Sequence, residues 1–487
     1  MASDAAISRV LDASPPPDLD AYVGAGGGRG WERARSLPPD DIIVTLFASG
    51  LRGRGGAGFP TGRKWQTVAA YESAVYPTTV VVNGAEGEPG SFKDRMLLRT
   101  NPYRVIEGAL IAARAVDATR VIVAMKRDFT QVRARVDAAI AEIRGASWLD
   151  GIELDSFGGP DAYLYGEETG LLEVLDGREP FPRVAPPWRH GVDEIGDGTE
   201  SAAELELAEP GGAGIAPPTL VNNSETLANV PLILSEGAEW FRAFGTEESP
   251  GTVLCTVSGA TVRAGVAEVP MGTTLRSVIE QIGGGVDPGR EIVAVLSGVA
   301  NALIPARALD TPLTYEAMRA AGSGLGAAGF VVIDDRTDLV AVTHGVSRFL
   351  AVESCGQCTP CKRDGLELSA LLDRIRRSEA NGFDVDSVAD RTATVADGAR
   401  CTLAQQHQVV VDSLLELFPD AIRAHGDGRA PAAEPYLVAP IADIVNGRAV
   451  LDAAVARRQP DWTYNDTDSG RWPAARIDER SAETTED

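Results

Sequence analysis

The chain has 487 residues, 44% of them hydrophobic, and a formal net charge of −25. This length is enough for about three domains, and the negative charge argues against nucleic acid or an anionic membrane as partner, because phosphate binding needs a basic face. The sequence shows neither a secretory signal nor an apolar stretch long enough to span a bilayer, so we expect a cytoplasmic protein without direct membrane insertion.

The first patterned segment is rich in glycine and in positive charge. A short helix is predicted over residues 41–49, and LRGRGGAGFPTGRKW follows at 51–65. Glycines let backbone amides approach a phosphate or a flat ring, so the segment favours a phosphate-binding loop, with a turn-rich linker as the alternative. Its positive side chains are Arg52, Arg54, Arg63 and Lys64.

The next segment predicts a βαβ unit with an acidic loop inside it. The run TVVVNGAEGEPG at 79–90 is a β-branched strand that stops at Asn83 and continues into a loop rich in glycine and glutamate. A helix is predicted at 105–116 and a second strand at 120–125. Ligand sites in parallel sheets lie where strands end, so the loop after Asn83 is a candidate site.

Two further segments place polar residues at the ends of predicted elements. AYLYGEETGLLEVLDG puts Gly166, Glu167 and Glu168 between a short aromatic strand and a helix, and PPTLVNNSETLANVP puts Asn222 and Asn223 at a strand end. Acidic residues at a helix start are also common as simple caps. Each segment alone therefore leaves a structural explanation open.

The cysteines carry the most specific pattern. Cys355, Cys358 and Cys361 lie in ESCGQCTPCKRDG, and Cys401 follows at a distance. Three thiolates in CxxCxxC with a remote fourth are typical of an iron–sulfur cluster, whereas zinc usually shows two separated pairs. The pattern favours a cubane cluster over zinc or a structural role. Cys255, in the apolar run VLCTV, is predicted to be core.

Apolar residues follow each cysteine group at helical spacing, which predicts a small helical bundle. Each group then lies at a helix start, where we expect the helix dipole together with Lys362, Arg363 and Arg400 to offset the charge of the thiolates. The two apolar runs contain Leu368, Leu371, Leu372 and Ile375, and then Val411, Leu414, Leu415 and Phe418.

Five segments occur in the order and approximate spacing of one family: LRGRGGAGFPTGRKW, NGAEGEPGSFKDR, YLYGEETGLLEVLDGR, PPTLVNNSETLANVP and ESCGQCTPCKRDG. From about residue 22 to about residue 417 the chain resembles the flavin- and NADH-binding subunit of respiratory complex I. It also resembles the related subunits of NAD-linked hydrogenases and formate dehydrogenases. VPMGTTLRSVIEQIGGG and LDTPLTYEAMRAAGSGLGAAGFVVI resemble the ubiquitin-like module of this family.

The resemblance implies an α/β fold in three modules. We expect a Rossmann-like FMN and NADH domain at 1–235, which includes an amino-terminal lead-in, and a ubiquitin-like β-grasp module of the SLBB type at 236–333. A helical bundle that carries a 4Fe–4S cluster is expected at 334–419. The extension at 420–487 is expected to contain one helix between 436 and 457 and a disordered tail from about residue 466.

The resemblance also implies the chemistry, that of an NADH:acceptor oxidoreductase. NADH gives up two electrons together and the cluster accepts them singly, so FMN divides the pair, in either direction. Glu88 matches the acid beside the nicotinamide and is the expected catalytic residue. Phe59 matches an aromatic on the adenine, and Lys64 is expected to meet the flavin phosphate or ring edge.

The resemblance assigns a cofactor-binding set and a cluster-ligand set. The expected cofactor-binding residues are Gly53, Arg54, Gly55, Gly56, Ala57, Gly58, Phe59, Lys64, Asn83, Glu88, Gly166, Glu167, Glu168, Trp188, Asn222 and Asn223. The expected cluster ligands are Cys355, Cys358, Cys361 and Cys401.

The chain departs from the family at several positions near the nucleotide. Ala85 stands where an aspartate is usual, Thr67 where an aromatic is expected, and Val352 where histidine is common, while Trp188 replaces another aromatic. An acidic, glycine-rich insertion occupies 191–214. These departures support the hypothesis of altered pyridine-nucleotide affinity or specificity. They also leave open two alternatives: a structural or electron-relay subunit that has lost NADH turnover, and a zinc-stabilised binding module.

The sequence lacks a second cysteine set and membrane segments, so electrons must pass to or from other subunits. Besides NADH, the expected partners are a small thioredoxin-like 2Fe–2S subunit and a larger iron–sulfur subunit of a multisubunit complex. Such partners would hold a cytoplasmic chain at the inner face of a membrane.

Overall fold

The structure, a computed structural model, describes residues 7–73, 75–192 and 217–460. The insertion at 191–214 lies outside these ranges except for its first two residues, and the charged tail from residue 466 lies wholly outside them. None of the helices in the described ranges is long and apolar enough to cross a membrane.

Four parallel strands form the first sheet: β1 (Thr78–Asn83), β2 (Ala118–Lys126), β3 (Glu153–Gly159) and β4 (Thr219–Asn223). Their order is β3-β2-β1-β4, so the strand order reverses between β1 and β4. Val80, Val81 and Val82 on β1 are fully buried, a pattern typical of a parallel strand covered on both faces. The predicted parallel α/β architecture is confirmed.

Helices pack around this sheet and explain its buried faces. The helix predicted at 105–116 is α6 (Pro102–Ala115), which lies between β1 and β2 in the predicted βαβ unit. A Cβ on Gly108 would lie 2.0 Å from the carbonyl oxygen of Leu227 in α9 (Ser224–Glu236), so only glycine lets the two helices cross this closely. The helices of this half are α1 (Leu19–Gly24), α2 (Arg29–Arg35), α3 (Pro39–Ser49), α4 (Thr61–Ala70), α5 (Lys93–Thr100), α6 (Pro102–Ala115), α7 (Thr130–Gly145), α8 (Glu168–Leu175), α9 (Ser224–Glu236) and α10 (Ala238–Arg242).

A second, mixed sheet follows in the chain. Its strands are β5 (Thr252–Gly259), β6 (Gly265–Pro270), β7 (Ile292–Ser297), β8 (Ile304–Pro305) and β9 (Gly329–Asp334), with the short helices α11 (Leu275–Val278) and α12 (Tyr315–Ala320). The strand order is β6-β5-β9-β7-β8, and β5 and β9, the first and last strands, run parallel at the centre. Cys255 on β5 is fully buried, so its prediction as a core residue is confirmed.

Five helices form the third part: α13 (Leu339–Glu353), α14 (Thr359–Arg376), α15 (Gly382–Thr394), α16 (Leu403–Leu417) and α17 (Pro419–Gly426). The predicted apolar runs lie on α14 and on the end of α16. Leu368, Leu372 and Ile375 are fully buried, as are Val411 and Leu414, and they belong to one hydrophobic core.

The carboxyl-terminal extension does not form the helix predicted between 436 and 457. It forms a hairpin of β10 (Ile441–Val445) and β11 (Arg448–Leu451), followed by one 3-10 turn at Ala453–Arg457. Asn446 and Gly447 connect the strands with φ of 49° and 72°. Asn-Gly between two strand-forming runs is a strong signal for a two-residue hairpin turn, and the sequence prediction overlooked it.

Candidate active site

A cavity of about 1140 Å³, referred to below as the cleft, opens at the carboxyl ends of β1 and β4, where the strand order reverses. Parallel sheets bind ligands at this point. Loops of the second sheet and the start of α16 complete its walls. All predicted cofactor-binding residues except Arg54 line the cleft: Gly53, Gly55, Gly56, Ala57, Gly58, Phe59, Lys64, Asn83, Glu88, Gly166, Glu167, Glu168, Trp188, Asn222 and Asn223.

Contrary to the prediction, Arg54 does not face the cleft. Its guanidinium is buried and donates to the carbonyl oxygens of Thr252 and Pro250, both at 3.2 Å. Arg52 is used in a similar way, because its Nε donates to the carbonyl oxygen of Gly58 at 2.8 Å. Two of the four positive side chains in this segment, Arg52 and Arg54, therefore bind carbonyl oxygens and stabilise the folded glycine loop.

The glycine loop between α3 and α4 requires glycine at two positions for different reasons. Gly58 has a φ of 64°, and a Cβ there would lie 2.5 Å from the ring of Tyr315. Gly56, with a φ of 132°, borders the cleft, and among the residues that the structure describes a Cβ there would have only Gly326 within 4 Å, at 3.9 Å. Gly58 thus fixes the loop against the second sheet, and Gly56 leaves room for a ligand to approach the backbone.

Thr61 begins α4 in the wall of the cleft. Its hydroxyl is buried and has no hydrogen-bond partner within the described ranges. A helix start with an unsatisfied donor suits a phosphate, and Arg63 and Lys64 from the same turn also line the cleft. These residues fit the phosphate group of FMN.

The asparagines at the strand ends are already oriented by the protein. Asn83 Nδ2 donates to the carbonyl oxygen of Gly166 at 2.9 Å, and Asn222 Oδ1 accepts from Trp65 Nε1 at 2.7 Å. Asn223 caps α9. Since a side-chain amide has several donor and acceptor sites, each asparagine keeps capacity for a ligand while its orientation is fixed.

A buried charge network that the sequence did not predict lies behind Asn223. Lys93 Nζ lies 2.9 Å from Glu225 Oε2 and 3.0 Å from Asp94 Oδ1, and Asn223 Nδ2 donates to Asp94 Oδ2 at 2.8 Å. Burial raises the pKa of Asp94 to about 6, although the charge of Lys93 opposes this. Asp94 also lines the cleft, and the Lys-Asp pair in SFKDR is the signal that could have identified it.

The acidic pair after Gly166 has two roles at once. Glu167 caps α8 by accepting from the backbone N–H groups of Thr169 at 2.9 Å and Gly170 at 2.7 Å, and burial raises its pKa. Glu168 pairs with the ammonium of Lys64 across the cleft wall. The capping explanation is therefore correct for Glu167, and it is compatible with a place in the cleft.

Glu88 is held at both carboxylate oxygens. Its Oε2 accepts from the hydroxyl of Tyr163 at 2.6 Å and its Oε1 from the backbone N–H of Val299 at 2.6 Å. Burial raises the pKa of Glu88, although these hydrogen bonds lower it in part. Tyr163 is not among the residues predicted from the sequence. The aromatic strand predicted around it is wrong, because Leu164–Gly166 forms a 3-10 turn.

Two aromatic and two short side chains also line the cleft. The side chain of Phe59 is half-exposed and Trp188 is partly buried. Ala85 and Thr67, the two departures near the nucleotide, also line the cleft. The two aromatic faces can stack on a planar ligand, while the two short side chains leave additional space.

A second pocket is lined by the four predicted cluster ligands, Cys355, Cys358, Cys361 and Cys401. The hydroxyl of Ser354 lies 3.3 Å from Cys361 Sγ, and Gln357 Nε2 donates to Cys355 Sγ at 3.4 Å. In the part of the chain that the structure describes, no three His, Cys, Asp or Glu side chains meet closely enough to hold one metal ion. The four thiols surround a pocket, and a set of four cysteines fits a 4Fe–4S cluster.

Burial is the main influence on the predicted cluster ligands. It raises the pKa of Cys361 to about 11 and that of Cys401 to about 12, with neighbouring cysteines contributing to both shifts. A hydrogen bond with Ser354 opposes the shift at Cys361, and the backbone N–H of Leu403 opposes it at Cys401. Since metal ligands are thiolates, metal binding at these cysteines would release protons.

The cleft and the cysteine pocket share a wall. Leu164, Cys401 and Leu403 line both cavities. Cys401 precedes α16, and Leu164 belongs to the 3-10 turn between Tyr163 and Glu167. A ligand in the cleft and a cluster in the pocket are therefore separated by single side chains.

Comparison with known proteins identifies both parts. Residues 46–232 match the family described as the Nuo51 FMN-binding domain, and residues 341–425 match the NADH-ubiquinone oxidoreductase-F iron-sulfur binding region. The chain is 36% identical to an F subunit of the NADH-quinone oxidoreductase of Rhizobium meliloti, over 84% of this chain and 95% of that protein. It is 33% identical to the NADP-reducing hydrogenase subunit HndC of Solidesulfovibrio fructosivorans, over 85% and 82%.

A solved structure gives the same result. The NAD+-reducing [NiFe]-hydrogenase in its H2-reduced state matches with a TM-score of 0.72 and 32% identity, over 84% of this chain and 66% of the hydrogenase chain. With FMN-binding and iron–sulfur regions both matched, this chain is an oxidoreductase subunit that passes electrons between NADH, FMN and a 4Fe–4S cluster, and it belongs to the family of NADH-quinone oxidoreductase F subunits.

Proposed function

We propose that FMN and NADH bind together in the cleft and that the 4Fe–4S cluster is held by Cys355, Cys358, Cys361 and Cys401. The observation that carries this proposal is the shared wall of the two cavities, because Cys401 lines both. Bound FMN supplies the chemistry that takes two electrons as a hydride and releases them singly. The protein has to hold NADH and FMN in the reactive orientation and exclude water from the site.

Three groups of residues would hold FMN. Gly56 gives the flavin access to the loop backbone, and Thr61 at the start of α4 meets the phosphate. Asn83, Asn222 and Asn223 fix the ring and ribityl group from the strand ends. The proposal rests on their positions in the cleft and on their orientation by neighbouring residues.

Glu88 is proposed to act beside the nicotinamide. Tyr163 and Val299 fix its two oxygens, so the carboxyl group cannot turn away from the cleft. Burial raises its pKa, and the hydrogen bonds that it accepts oppose this shift. Phe59 and Trp188 would stack on the adenine at the outer end.

The domain assignment is also a proposal. The five-stranded sheet has its first and last strands parallel at the centre, which supports a ubiquitin-like β-grasp module at 236–333. The helices that follow support a cluster domain at 334–419, with the flavin domain before residue 236 and the extension after residue 419.

The names of the relatives support assembly with other subunits. They are subunits of quinone reductases and hydrogenases, so we propose a multisubunit complex with a thioredoxin-like 2Fe–2S subunit and a larger iron–sulfur subunit. A cytoplasmic position, at the inner face of a membrane through these partners, accompanies this proposal.

Anaerobic spectroscopy of the purified protein tests the proposal. We expect the protein to show flavin and cluster absorption, and this absorption should bleach when NADH is mixed in. A cluster shoulder that does not respond to NADH would instead support the electron-relay alternative, and a colourless protein would support the zinc-stabilised module. Repeating the experiment with NADPH tests whether Ala85, Thr67 and the 191–214 insertion change the nucleotide preference.

A further inference from the structure

The carboxyl-terminal extension contacts walls of the cleft from outside. Arg95 Nε donates to Glu86 Oε2 at 2.9 Å in the cleft wall, and Arg95 Nη1 donates to the carbonyl oxygen of Ile441 on β10 at 2.5 Å. Arg458, after the last 3-10 turn, donates to Glu353, whose other carboxylate oxygen accepts from the backbone N–H of Tyr163 in the cleft wall. The extension is therefore connected to two cleft-lining residues, Glu86 through Arg95 and Tyr163 through Glu353.

Arg458 connects two acidic residues from different parts of the fold. Its guanidinium pairs with the carboxylate of Asp161 and donates from Nη1 to Glu353 Oε1 at 3.1 Å. Asp161 precedes the 3-10 turn of the cleft wall, and Lys126 at the end of β2 lies 2.8 Å from it. Burial alone would raise the pKa of Asp161, but the charges of Lys126 and Arg458 lower it.

Glu353 carries this contact into the cleft. It is the last residue of α13 and is almost completely buried, and its second oxygen accepts from the backbone N–H of Tyr163 at 2.7 Å. The hydroxyl of the same tyrosine donates to Glu88. Phe349, one turn earlier on α13, packs edge-on against the Tyr163 ring with centroids 5.3 Å apart.

The arrangement gives the tyrosine a fixed position at both of its ends. A guanidinium presents its donors in a rigid planar fork, so Arg458 can hold Asp161 and Glu353 at one relative position. Tyr163 follows Asp161 by two residues and is bound directly by Glu353. Movement of either acid would move the hydroxyl that fixes Glu88.

We propose that Arg458 is a positioning residue for the oxidation of NADH, acting on Glu88 through Glu353 and Tyr163. The inference rests on the function proposed for Glu88, and it adds a residue of the extension, outside both matched family regions, to the machinery of the cleft.

The test compares Arg458→Met with Arg457→Met in the full-length protein loaded with FMN and iron. The two changes remove the same charge at neighbouring positions, and Arg457 is exposed. A hydrogen bond to a charged group contributes about tenfold to an equilibrium, so we expect Arg458→Met to lower kcat/KM for NADH about tenfold. Arg457→Met should leave it unchanged, and both variants should retain FMN and iron.

A double-mutant cycle with Tyr163→Phe identifies the route. Since the phenylalanine side chain lacks the hydroxyl that binds Glu88, Arg458→Met should cause no further loss in that background. If Arg458→Met does not load its cofactors, the same double-mutant cycle can be measured with Arg458→Lys, which keeps the charge but lacks the planar guanidinium. We expect Arg458→Lys to lower kcat/KM for NADH about threefold.

Three results would overturn the proposal: unchanged turnover in Arg458→Met, an equal loss in Arg457→Met, or an undiminished loss in the Tyr163→Phe background. Failure of the underlying function is seen separately, since the wild-type flavin would then not bleach with NADH. A Glu88→Gln variant as active as wild type would reject the role of Glu88 without reference to Arg458.

Discussion

The cleft and the cysteine pocket adjoin, but they are built in different ways. The cleft is large, and several of its polar side chains are already held by other parts of the protein: Asn83 by Gly166, Asn222 by Trp65, and Glu88 by Tyr163 and Val299. The pocket depends on four cysteines, and burial raises the pKa of three of them, Cys355, Cys361 and Cys401. The cleft should therefore be sensitive to residues far from the ligand, and the pocket mainly to its cysteines.

Replacing a cysteine that faces only the pocket should have the largest effect. Cys358 lines the pocket and not the cleft, so Cys358→Ser should abolish the intact 4Fe–4S cluster but retain bound FMN. Iron, acid-labile sulfide and FMN contents per chain measure this. Cys255→Ala, in the buried core of β5, is the control and should keep the cluster. Simultaneous loss of FMN in Cys358→Ser would show that the two sites are not built independently.

Removing the carboxylate of Glu88 should have the next largest effect. Glu88→Gln keeps an oxygen that accepts from Tyr163 or Val299 but cannot carry a charge, and groups that hold a catalytic proton contribute at least about hundredfold. We expect kcat/KM for NADH to fall about hundredfold, with normal FMN and iron content. The rate of flavin bleaching in stopped flow measures it, with exposed Glu248→Gln as the control. Bleaching at the wild-type rate would remove Glu88 from the mechanism.

The parts of the site that the sequence could predict are those set by local spacing. The CxxCxxC run and the asparagines at the ends of β1 and β4 were found, because strand ends and short motifs are visible in the sequence. Arg54 was predicted wrongly, since Pro250 and Thr252, the residues that bind it, come from a distant loop and strand. Tyr163 was missed because its importance lies in one long-range hydrogen bond to Glu88.

The fold shows the same division. The pairing of β1 with β2 follows from a βαβ connection that is close in sequence, whereas β1 also pairs with β4, which lies far along the chain. The hairpin of the extension was mistaken for a helix although Asn446 and Gly447 form a recognisable turn. In the extension, Ile441 binds Arg95 and Arg458 binds Asp161. These contacts could not be predicted, because they join residues separated by most of the chain.

Adding a methyl group to the glycine loop should have a smaller effect, confined to the cleft. Gly58→Ala places a Cβ 2.5 Å from the ring of Tyr315 at a φ of 64°. Strain of about 1–3 kcal/mol is typical of such positions, so we expect FMN to bind about tenfold more weakly. Fluorescence titration of the FMN-free protein measures the Kd. Gly285 has a φ of 75°, but a Cβ there would meet no described residue within 4 Å, so Gly285→Ala should leave the Kd unchanged. An equal loss in both variants would attribute the effect to general destabilisation.

The smallest expected effect is a pH dependence of the free energy of unfolding in the helical part that the flavin part does not share. His407 on α16 is buried beside Ser347, with Nε2 2.6 Å from its hydroxyl, and burial lowers the pKa of His407 to about 4. An unfolded histidine has a pKa of about 6.5, so between these values the unfolded state binds more protons than the native state. The free energy of unfolding must therefore fall as the pH falls, by about 1 kcal/mol per histidine between about pH 6.5 and about pH 5.5.

Amide hydrogen exchange in α13 and α16 can measure how the free energy of unfolding changes with pH, once the pH dependence of the intrinsic exchange rates is corrected for. Burial also lowers the pKa of His344 to about 4, so His407→Gln should remove about half of the slope and leave the rest to His344. Peptides from α6, in the flavin part, should exchange alike in both proteins. The flavin part and the helical part have separate hydrophobic cores, which favours separate unfolding. If α6 lost the same pH dependence as α16, the two regions would instead unfold as one unit.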